Sequence, residues 1–344
     1  MPSKKKKGTI RQKPQQDELP CISILTPLYN RNKFLPLMLA NIKSFDYPKD
    51  KLEWFILDSK DGDSDVKLIS DQETYETIRR QIHPIKLKYE YHPRKMTIAE
   101  KRTYLTKKMT HPYFANMDSD DIYMECFLKY SLDLIKKNKA GMCGSPEMIF
   151  VWPHLNYRVT AIKCEAKRQA HEATFFGTKK YVRSMNYYTK NDEKGEGASL
   201  IDFNENNFIS SECCLQMICV CHNTNTCNKD SFEEINIQKA DITGTKRDVL
   251  EAIMSEEIAS GKVNESPFTI PDQGGAKPSD LKSERDFKDK KLDEQYVDQL
   301  PKNFKKASFK DFLDKEAATS PAKEYPLEDS SSNSNTHSQN YTDS

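Results

Sequence analysis

Short apolar runs alternate with helix-like segments between residues 21 and 137, and this alternation constrains the fold more than any other feature. Residues 21–25, 52–57 and 112–117 are apolar runs of strand length, and residues 85–91 alternate apolar with polar side chains. Between these runs lie segments whose apolar residues recur at helical spacing. Such a rhythm predicts an α/β fold, in which a mostly parallel central sheet has helices on both faces.

The same spacing predicts the intervening helices near residues 35–42, 75–82, 97–109 and 122–137. In parallel sheets of this kind, ligands bind beyond the carboxyl ends of the strands. Three of the predicted strands end in distinctive polar groups, which are Pro-Leu-Tyr-Asn at 27–30, Asp58, and Asp-Ser-Asp-Asp at 118–121. We expect these groups to meet at one rim of the sheet.

The segment 118–121 has three carboxylates within four residues, directly after an apolar strand. Such carboxylates repel one another unless they share a cation, and Mg²⁺ or Mn²⁺ suits oxygen ligands of this kind. The spacing favours a metal–diphosphate site that contains Asp118 and Asp120. The alternative is a surface turn or the N-cap of the helix expected from residue 122.

Charge is unevenly distributed, although the whole chain has a net charge of only +1. Residues 1–20 contain six basic and two acidic residues, whereas residues 265–344 contain twelve basic and sixteen acidic ones. The second of these segments is rich in polar residues and poor in apolar ones, which is typical of disorder. We expect a basic disordered tail at 1–20, a mostly disordered tail at 265–344, and the functional site in the core between them.

Composition also excludes several classes of protein. The near-zero net charge argues against a specific nucleic-acid binder, and no apolar stretch is long enough for a transmembrane segment. The basic residues at 4–7 are not followed by the apolar region of a secretory signal. Nine cysteines without a regular framework indicate reduced thiols and a cytoplasmic location.

Three segments together resemble the N-terminal motifs of glycosyltransferase family 2. They are residues 22–31 (ISILTPLYNR), 55–65 (FILDSKDGDSD) and 116–121 (NMDSDD). The likeness is closest to the family's members in giant DNA viruses, which have a late motif similar to residues 222–226 (HNTNT). It covers about residues 21–230.

The resemblance implies a GT-A fold, in which a Rossmann-like half binds the nucleotide-sugar and a second half binds the acceptor. We therefore expect a donor half at 21–121, an acceptor half at 122–230 and a helical extension at 231–264. The resemblance further implies an inverting transfer from a nucleotide-sugar, UDP-linked by preference, to an unknown hydroxyl acceptor with Mn²⁺ or Mg²⁺ as cofactor. If the chain is viral, its location would be the host cytoplasm or the virion.

Carried over to this chain, the family motifs assign the donor site. Pro27 and Tyr29 would flank the uridine, and Asp58 would bind the base or ribose. Asp118 and Asp120 would form the D-x-D motif that faces the ribose and the metal–diphosphate. Asn30, in the segment 22–31, and Ser119, in the segment 116–121, are also predicted to bind the nucleotide-sugar. Tyr29 could instead be a core residue, and Asp58 a strand-end turn former.

Arg102 occupies the place where family members have a basic side chain on a small-residue helix. A guanidinium binds phosphate bidentately, so Arg102 could neutralise part of the diphosphate charge. The alternative is a solvated helix face, which Arg102 would share with Glu100 and Lys101.

Sugar transfer also needs a base that takes the proton of the acceptor hydroxyl. Glu196 lies between two glycines at the start of an expected helix, where the family has its acidic motif. We predict Glu196 as the base, with Asp202 and Glu172 in reserve. Alternatively, Glu196 could be a carboxylate that stabilises the helix N-terminus.

His222 follows an apolar run at 217–221 and is a candidate third metal ligand, although a lone histidine is often structural. The cysteines nearby lack paired zinc-ligand spacing. Two other functions stay open. A sugar-phosphate nucleotidyltransferase would need a glycine-rich loop after the first strand, where residues 28–31 have no glycine. A non-catalytic scaffold would act through weak contacts of its tails, such as the basic run at 4–7.

Overall fold

The computed structural model describes residues 18–59, 66–163, 170–184, 195–202, 207–225, 229–238, 242 and 244–260. The chain divides into two compact units, Met1–Glu294 and Gln295–Ser344, and all described residues belong to the first. Most of the predicted basic tail and all of the tail at 265–344 lie outside the described residues.

The elements alternate as the sequence predicts. In chain order, the helices are α1 (Leu35–Ser44), α2 (Gln72–Ile82), α3 (Ile98–Lys108), α4 (Phe127–Asn138), α5 (Lys179–Ser184), α6 (Ala198–Asp202) and α7 (Thr245–Ser260). The strands are β1 (Ile22–Pro27), β2 (Leu52–Ser59), β3 (Lys86–His92), β4 (Tyr113–Asn116), β5 (Ile122–Tyr123), β6 (Met142–Gly144), β7 (Glu147–Trp152), β8 (Arg158–Lys163), β9 (Phe176–Thr178), β10 (Phe208–Ser210), β11 (Met217–Val220) and β12 (Ile237–Gln238).

The larger sheet has seven strands in the described part of the chain, in the order β10-β6-β9-β4-β1-β2-β3. Its strands pair in parallel except for β9, which is antiparallel to both of its neighbours. The sheet is therefore mostly parallel, as predicted. A smaller five-stranded sheet has the order β12-β8-β7-β11-β5.

Apolar side chains on both faces of the larger sheet explain why its central strands are continuous apolar runs. Ile24 of β1 packs into one buried cluster with residues of α1, α2 and α4. The next residue, Leu25, points to the other face and packs with residues of α3, α5 and α6. Successive side chains of a strand alternate in this way. Helices thus cover both faces, and the predicted α/β class is confirmed.

The predicted helix over residues 122–137 is wrong at its start. Ile122 and Tyr123 form β5, which pairs antiparallel with β11, and the helix begins only at Phe127. Tertiary pairing with a strand almost a hundred residues later overrides the local apolar spacing here. The N-cap residue of α4 is Cys126, which makes no side-chain cap hydrogen bond. The carboxylates at 118–121 are therefore not the N-cap of this helix.

The predicted C-terminal extension, 231–264, contains helix α7. Leu250 and Met254 of α7 are buried in a third cluster, together with Phe34 and Leu37 next to and within α1. None of the helices in the described ranges is long and apolar enough to cross a membrane.

Candidate active site

The carboxyl ends of β1, β2 and β4 lie side by side at one rim of the larger sheet, because these strands are neighbours and parallel. Main-chain pairing continues just beyond β1, where Leu28 N–H donates to the Leu57 carbonyl at 2.8 Å. All three polar segments predicted from the strand ends therefore reach the same rim.

Arg102 connects the aspartate cluster with the candidate base. It lies on α3, and only 3% of its side chain is exposed. Its Nη2 donates to both carboxylate oxygens of Asp118, at 2.9 and 3.1 Å, and its Nε donates to Glu196 Oε1 at 3.0 Å. Burial raises the pKa of Asp118 and of Glu196, and the positive charge of Arg102 opposes this rise. The alternative of a solvated helix face is wrong for Arg102.

A capping box explains why α3 begins where it does. The Thr97 side chain accepts from Glu100 N–H at 3.2 Å, and the Glu100 side chain accepts from Thr97 N–H at 2.8 Å. Lys101, one residue before Arg102, is also buried and donates to the Leu28 carbonyl beyond β1. The first turns of α3 are thereby held against the rim.

Asp120 contacts an arginine and the predicted histidine. Arg31 Nε donates to Asp120 Oδ2 at 3.0 Å, and His222 Nε2 lies 3.1 Å from the same oxygen. Thr224 N–H donates to Nδ1 of the imidazole at 3.2 Å, and Asn225 Nδ2 lies 2.9 Å from Nε2. Burial tends to raise the pKa of Asp120, but the His222 hydrogen bond and the charge of Arg31 hold it below its ordinary value.

Asp121, the third carboxylate of the cluster, has a structural contact instead. Its Oδ1 accepts from Val220 N–H on β11 at 3.0 Å, and its main-chain carbonyl accepts from Asn41 Nδ2 at 2.8 Å. Burial, with the nearby charge of Asp120, raises the pKa of Asp121 to about 7. The three carboxylates therefore have different partners and do not all turn toward one point.

Asp58 is buried at the end of β2 and accepts three hydrogen bonds from the protein. The donors are Ser59 N–H at 2.8 Å, Leu68 N–H at 3.0 Å and Tyr89 O–H at 2.9 Å. The bond to Leu68 joins positions ten residues apart, and residues 60–65 between them lie outside the described residues. Asp58 thus reaches the predicted rim and also has the turn-forming contacts of the alternative reading.

The remaining predicted donor residues differ in exposure. Pro27 and Ser119 are buried, whereas Asn30 is exposed and has a positive φ of 48°. Tyr29 is partly exposed, and its ring centroid lies 5.0 Å from the ammonium groups of both Lys95 and Lys101. Tyr29 is therefore a partly exposed aromatic residue beside positive charge, and the core alternative is wrong for it.

Glu172 lies next to the candidate base. Its Oε1 accepts from Gly197 N–H at 3.1 Å, directly after Glu196 in the chain. Burial and the neighbouring charge of Glu196 raise the pKa of Glu172 to about 8. The structure therefore brings Glu196 and Glu172 together. Asp202 is the last residue of α6, and its side chain lies outside the described residues.

Lys229 is a cation of this site that sequence reasoning did not identify. Its Nζ donates to Cys219 Sγ on β11 at 2.8 Å. Its charge opposes the raised pKa of Asp118 and of Asp121. A single lysine in a polar stretch has no distinctive pattern, so the sequence contained no signal for this position.

The donor chemistry at the rim fits a divalent cation. Asp118 and Asp120 have carboxylates, the ligand type that Mg²⁺ and Mn²⁺ prefer, and His222 adds an imidazole. Both aspartate side chains stay partly exposed, at 24% and 17%. Within the described ranges, however, no three ligand-type side chains converge as a metal site requires. Arg102 and Arg31 hold the two carboxylates instead.

A family model described as Glycosyl transferase family 2 matches residues 23–199, just over half of the chain. The chain belongs to glycosyl transferase family 2. The match runs from β1 to the start of α6, so it includes Asp58, Asp118 and Glu196 but ends before His222. The family predicted from the sequence is confirmed.

Among solved structures, the chain is similar to TarS 1–349 of S. aureus, with 14% identity and a TM-score of 0.44 over 58% of this chain and 60% of that one. It is also similar to the mannosyltransferase PcManGT from Pyrobaculum calidifontis, in complex with GDP-Man and Mn²⁺, with 16% identity and a TM-score of 0.42 over 59% and 57%. The chain thus spans about six-tenths of these relatives. No curated protein matches its sequence.

Proposed function

We propose that this family 2 protein transfers a sugar from a nucleotide diphosphate donor, a UDP-sugar, to an acceptor hydroxyl with inversion. One observation carries the proposal: Arg102 joins Asp118 of the D-x-D motif to the buried carboxylate Glu196. A predicted donor-binding group and the candidate base thus contact the same guanidinium and lie close together at the rim. TarS 1–349 in complex with UDP-GlcNAc, a protein similar to this chain, agrees with the donor class.

The donor would lie along the rim of the larger sheet. Tyr29 would offer its partly exposed ring to the uracil, next to Pro27 and Asn30. Asp58 lies near the end of β2 and Ser119 follows β4, the strands on either side of β1. These two residues would bind the base and ribose. Positively charged Lys95 and Lys101 beside Tyr29 favour an anionic donor.

Asp118 and Asp120, with His222, would hold Mn²⁺ or Mg²⁺. A bound divalent ion would neutralise the charge that develops on the departing diphosphate. Arg31 and Arg102 lie beside the same carboxylates, where their guanidinium groups can bind phosphate oxygens bidentately. The protein's own cations would therefore contribute to this neutralisation.

Glu196 would accept the proton of the acceptor hydroxyl. Its burial raises its pKa, which makes the carboxylate a stronger base. Its contact with Arg102 holds it in one orientation. Glu172 and Asp202 remain the reserve candidates, and the acceptor itself belongs only to the broad class of hydroxyl compounds.

We place the protein in the cytoplasm, or in the host cytoplasm or virion if its closest relatives are the giant-virus members that its motifs resemble. No observation on the described residues favours nucleotidyl transfer or a scaffold role. Both alternatives are outcomes of the test below.

The test is a panel of UDP- and GDP-sugars, with and without Mn²⁺, scored by release of the nucleotide diphosphate. We expect Mn²⁺-dependent release of UDP from one donor, and loss of that release in Asp120→Ala. Glu196→Gln should bind UDP like the wild type but lose about 10²–10⁴-fold in kcat, the usual contribution of a general base. Glu73→Gln, an exposed carboxyl on α2, is the matched control.

Unchanged kcat in Glu196→Gln would move the base to another residue. Pyrophosphate formation from UTP and a sugar phosphate would replace the proposal with nucleotidyl transfer. Tight UDP binding without any turnover would support a binding protein.

A further inference from the structure

Every predicted metal ligand has at least one donor atom in contact with the protein. Both oxygens of Asp118 accept from Arg102 Nη2, at 2.9 and 3.1 Å. Asp120 Oδ2 accepts from Arg31 at 3.0 Å and lies 3.1 Å from His222 Nε2. The same atoms would form the bonds of about 2.1 Å to a divalent ion.

These contacts and a bound ion compete with each other for two reasons. A carboxylate oxygen that accepts a guanidinium N–H has fewer lone pairs and less negative charge available for a metal ion. A divalent ion beside Asp118 would also experience repulsion from Arg102, whose low exposure leaves little water between the charges. The two arginines therefore oppose an ion at these carboxylates, and turning away from them would relieve that opposition.

Each arginine has a second contact that would keep it at the site after such a turn. Arg102 Nε is bonded to Glu196 at 3.0 Å, and Arg31 Nη1 donates to the Asn30 carbonyl at 3.1 Å. Neither contact involves the D-x-D carboxylates. The guanidinium groups can thus exchange an aspartate for another anion without leaving the rim.

We propose that Arg102 and Arg31 are internal counter-ions of the D-x-D aspartates, which a nucleoside diphosphate draws away from them so that the divalent ion can bind. The inference rests on the proposed function. Diphosphate oxygens are suitable new partners, because guanidinium binds phosphate as well as carboxylate in a bidentate way. It follows that nucleotide and metal bind cooperatively, and that these arginines oppose metal binding when the nucleotide is absent.

The test measures Mn²⁺ binding to the full chain by the electron paramagnetic resonance of free Mn²⁺, with and without UDP. Arg102→Ala and Arg31→Ala should each bind Mn²⁺ alone about fivefold or more tightly than the wild type. UDP should increase Mn²⁺ affinity in the wild type, and less so in these variants, since a coupling of 5–150-fold is usual between linked sites. If an arginine instead assisted metal or nucleotide binding directly, its replacement by alanine would weaken the affinity for Mn²⁺.

Arg94→Ala is the matched control, because Arg94 lies just before the same helix and pairs with Glu100 at an exposed position. It should bind Mn²⁺ like the wild type. Arg102→Lys keeps a positive charge without the bidentate fork, so its Mn²⁺ affinity should increase less than that of Arg102→Ala. Arg102→Lys also takes the place of Arg102→Ala in the test if thermal unfolding shows that the alanine variant is misfolded.

Unchanged or weaker Mn²⁺ affinity in the arginine variants would overturn the counter-ion role. If the wild type still released UDP from a donor, the proposed function would stand. A wild type that binds neither Mn²⁺ nor UDP would overturn both proposals.

Discussion

Half-buried Glu172 and buried Glu196 are neighbouring carboxyl groups with different partners. Arg102 contacts Glu196, whereas Glu172 accepts a main-chain N–H from Gly197. Burial and the charge of Glu196 raise the pKa of Glu172 to about 8. Glu172 therefore retains its proton at neutral pH, which favours Glu196 as the base that accepts one.

The raised pKa of Glu172 predicts how stability changes with pH. Between its ordinary pKa of 4.5 and about 8, the folded protein binds a proton here that the unfolded chain has lost. The free energy of unfolding should therefore decrease as pH rises through this window, by up to about 1.4 kcal/mol per pH unit from this group. The side chain in Glu172→Gln does not titrate, so this contribution to the decrease is absent. The free energy of unfolding of the variant, measured in urea, should therefore fall less than that of the wild type between pH 5 and pH 8. Equal pH dependence in both would contradict the assignment, and Glu73→Gln is the exposed control.

The residue types at this site were largely predictable, but their partners were not. Asp118 and Asp120 follow a recognisable strand, and Glu196 lies between two glycines, so local patterns identified them. Arg102 was ambiguous, because a basic residue beside Glu100 and Lys101 also fits a solvated helix. Its burial depends on the rim that strands from elsewhere in the chain form against α3.

At the scale of elements, the segment that contains Glu196, the candidate base, has a glycine on each side of it. A Cβ on Gly197 would lie 2.5 Å from the Phe175 ring and 2.7 Å from Glu172 Cγ. A Cβ on Gly195 would meet nothing within 4 Å, although its φ of +64° is unfavourable for other residues. The two glycines therefore have different physical roles.

We expect Gly197→Ala to lower the free energy of unfolding by about 1–3 kcal/mol, as overpacking usually does, and to lower kcat by displacing Glu196. Gly195→Ala should cost only about 1 kcal/mol, because only its backbone is strained. Thermal unfolding and UDP release measure the two effects. Equal kcat in the two variants would show that the packing at Gly197 does not position the base.

Strand β5 shows where element prediction fails. Ile122 and Tyr123 continue an apolar pattern that suits the following helix, yet they pair with β11. The partner strand is formed by Met217 and Ile218, far along the chain. Local periodicity contains no information about such a partner, whereas the longer strands and helices were identified from their own residues.

At the scale of the whole molecule, helix α7 completes the buried core beside α1. Leu250 and Met254 are almost fully buried there, and Lys246 donates to the Tyr123 carbonyl of β5. Loss of one such apolar side chain usually costs 2–5 kcal/mol. The chain beyond the family match thus stabilises the domain that contains the site.

A chain of residues 18–260 should therefore unfold at a temperature close to that of the full protein and should retain UDP release. A chain that ends at residue 244 should be strongly destabilised, because it lacks α7. Thermal unfolding and the donor panel test both truncations. Loss of turnover in a folded 18–260 chain would indicate that residues outside the described core are needed for function.

The sequence by itself determined the order of strands and helices from β1 to β4, the family, and the polar groups that end β1, β2 and β4. These properties follow from local periodicity and from motifs of a few residues. Only the tertiary structure decided that Arg102 contacts Glu196, 94 residues away, and that His222 reaches Asp120 across 102 residues. Such contacts depend on how the chain closes over long separations, which no local pattern encodes.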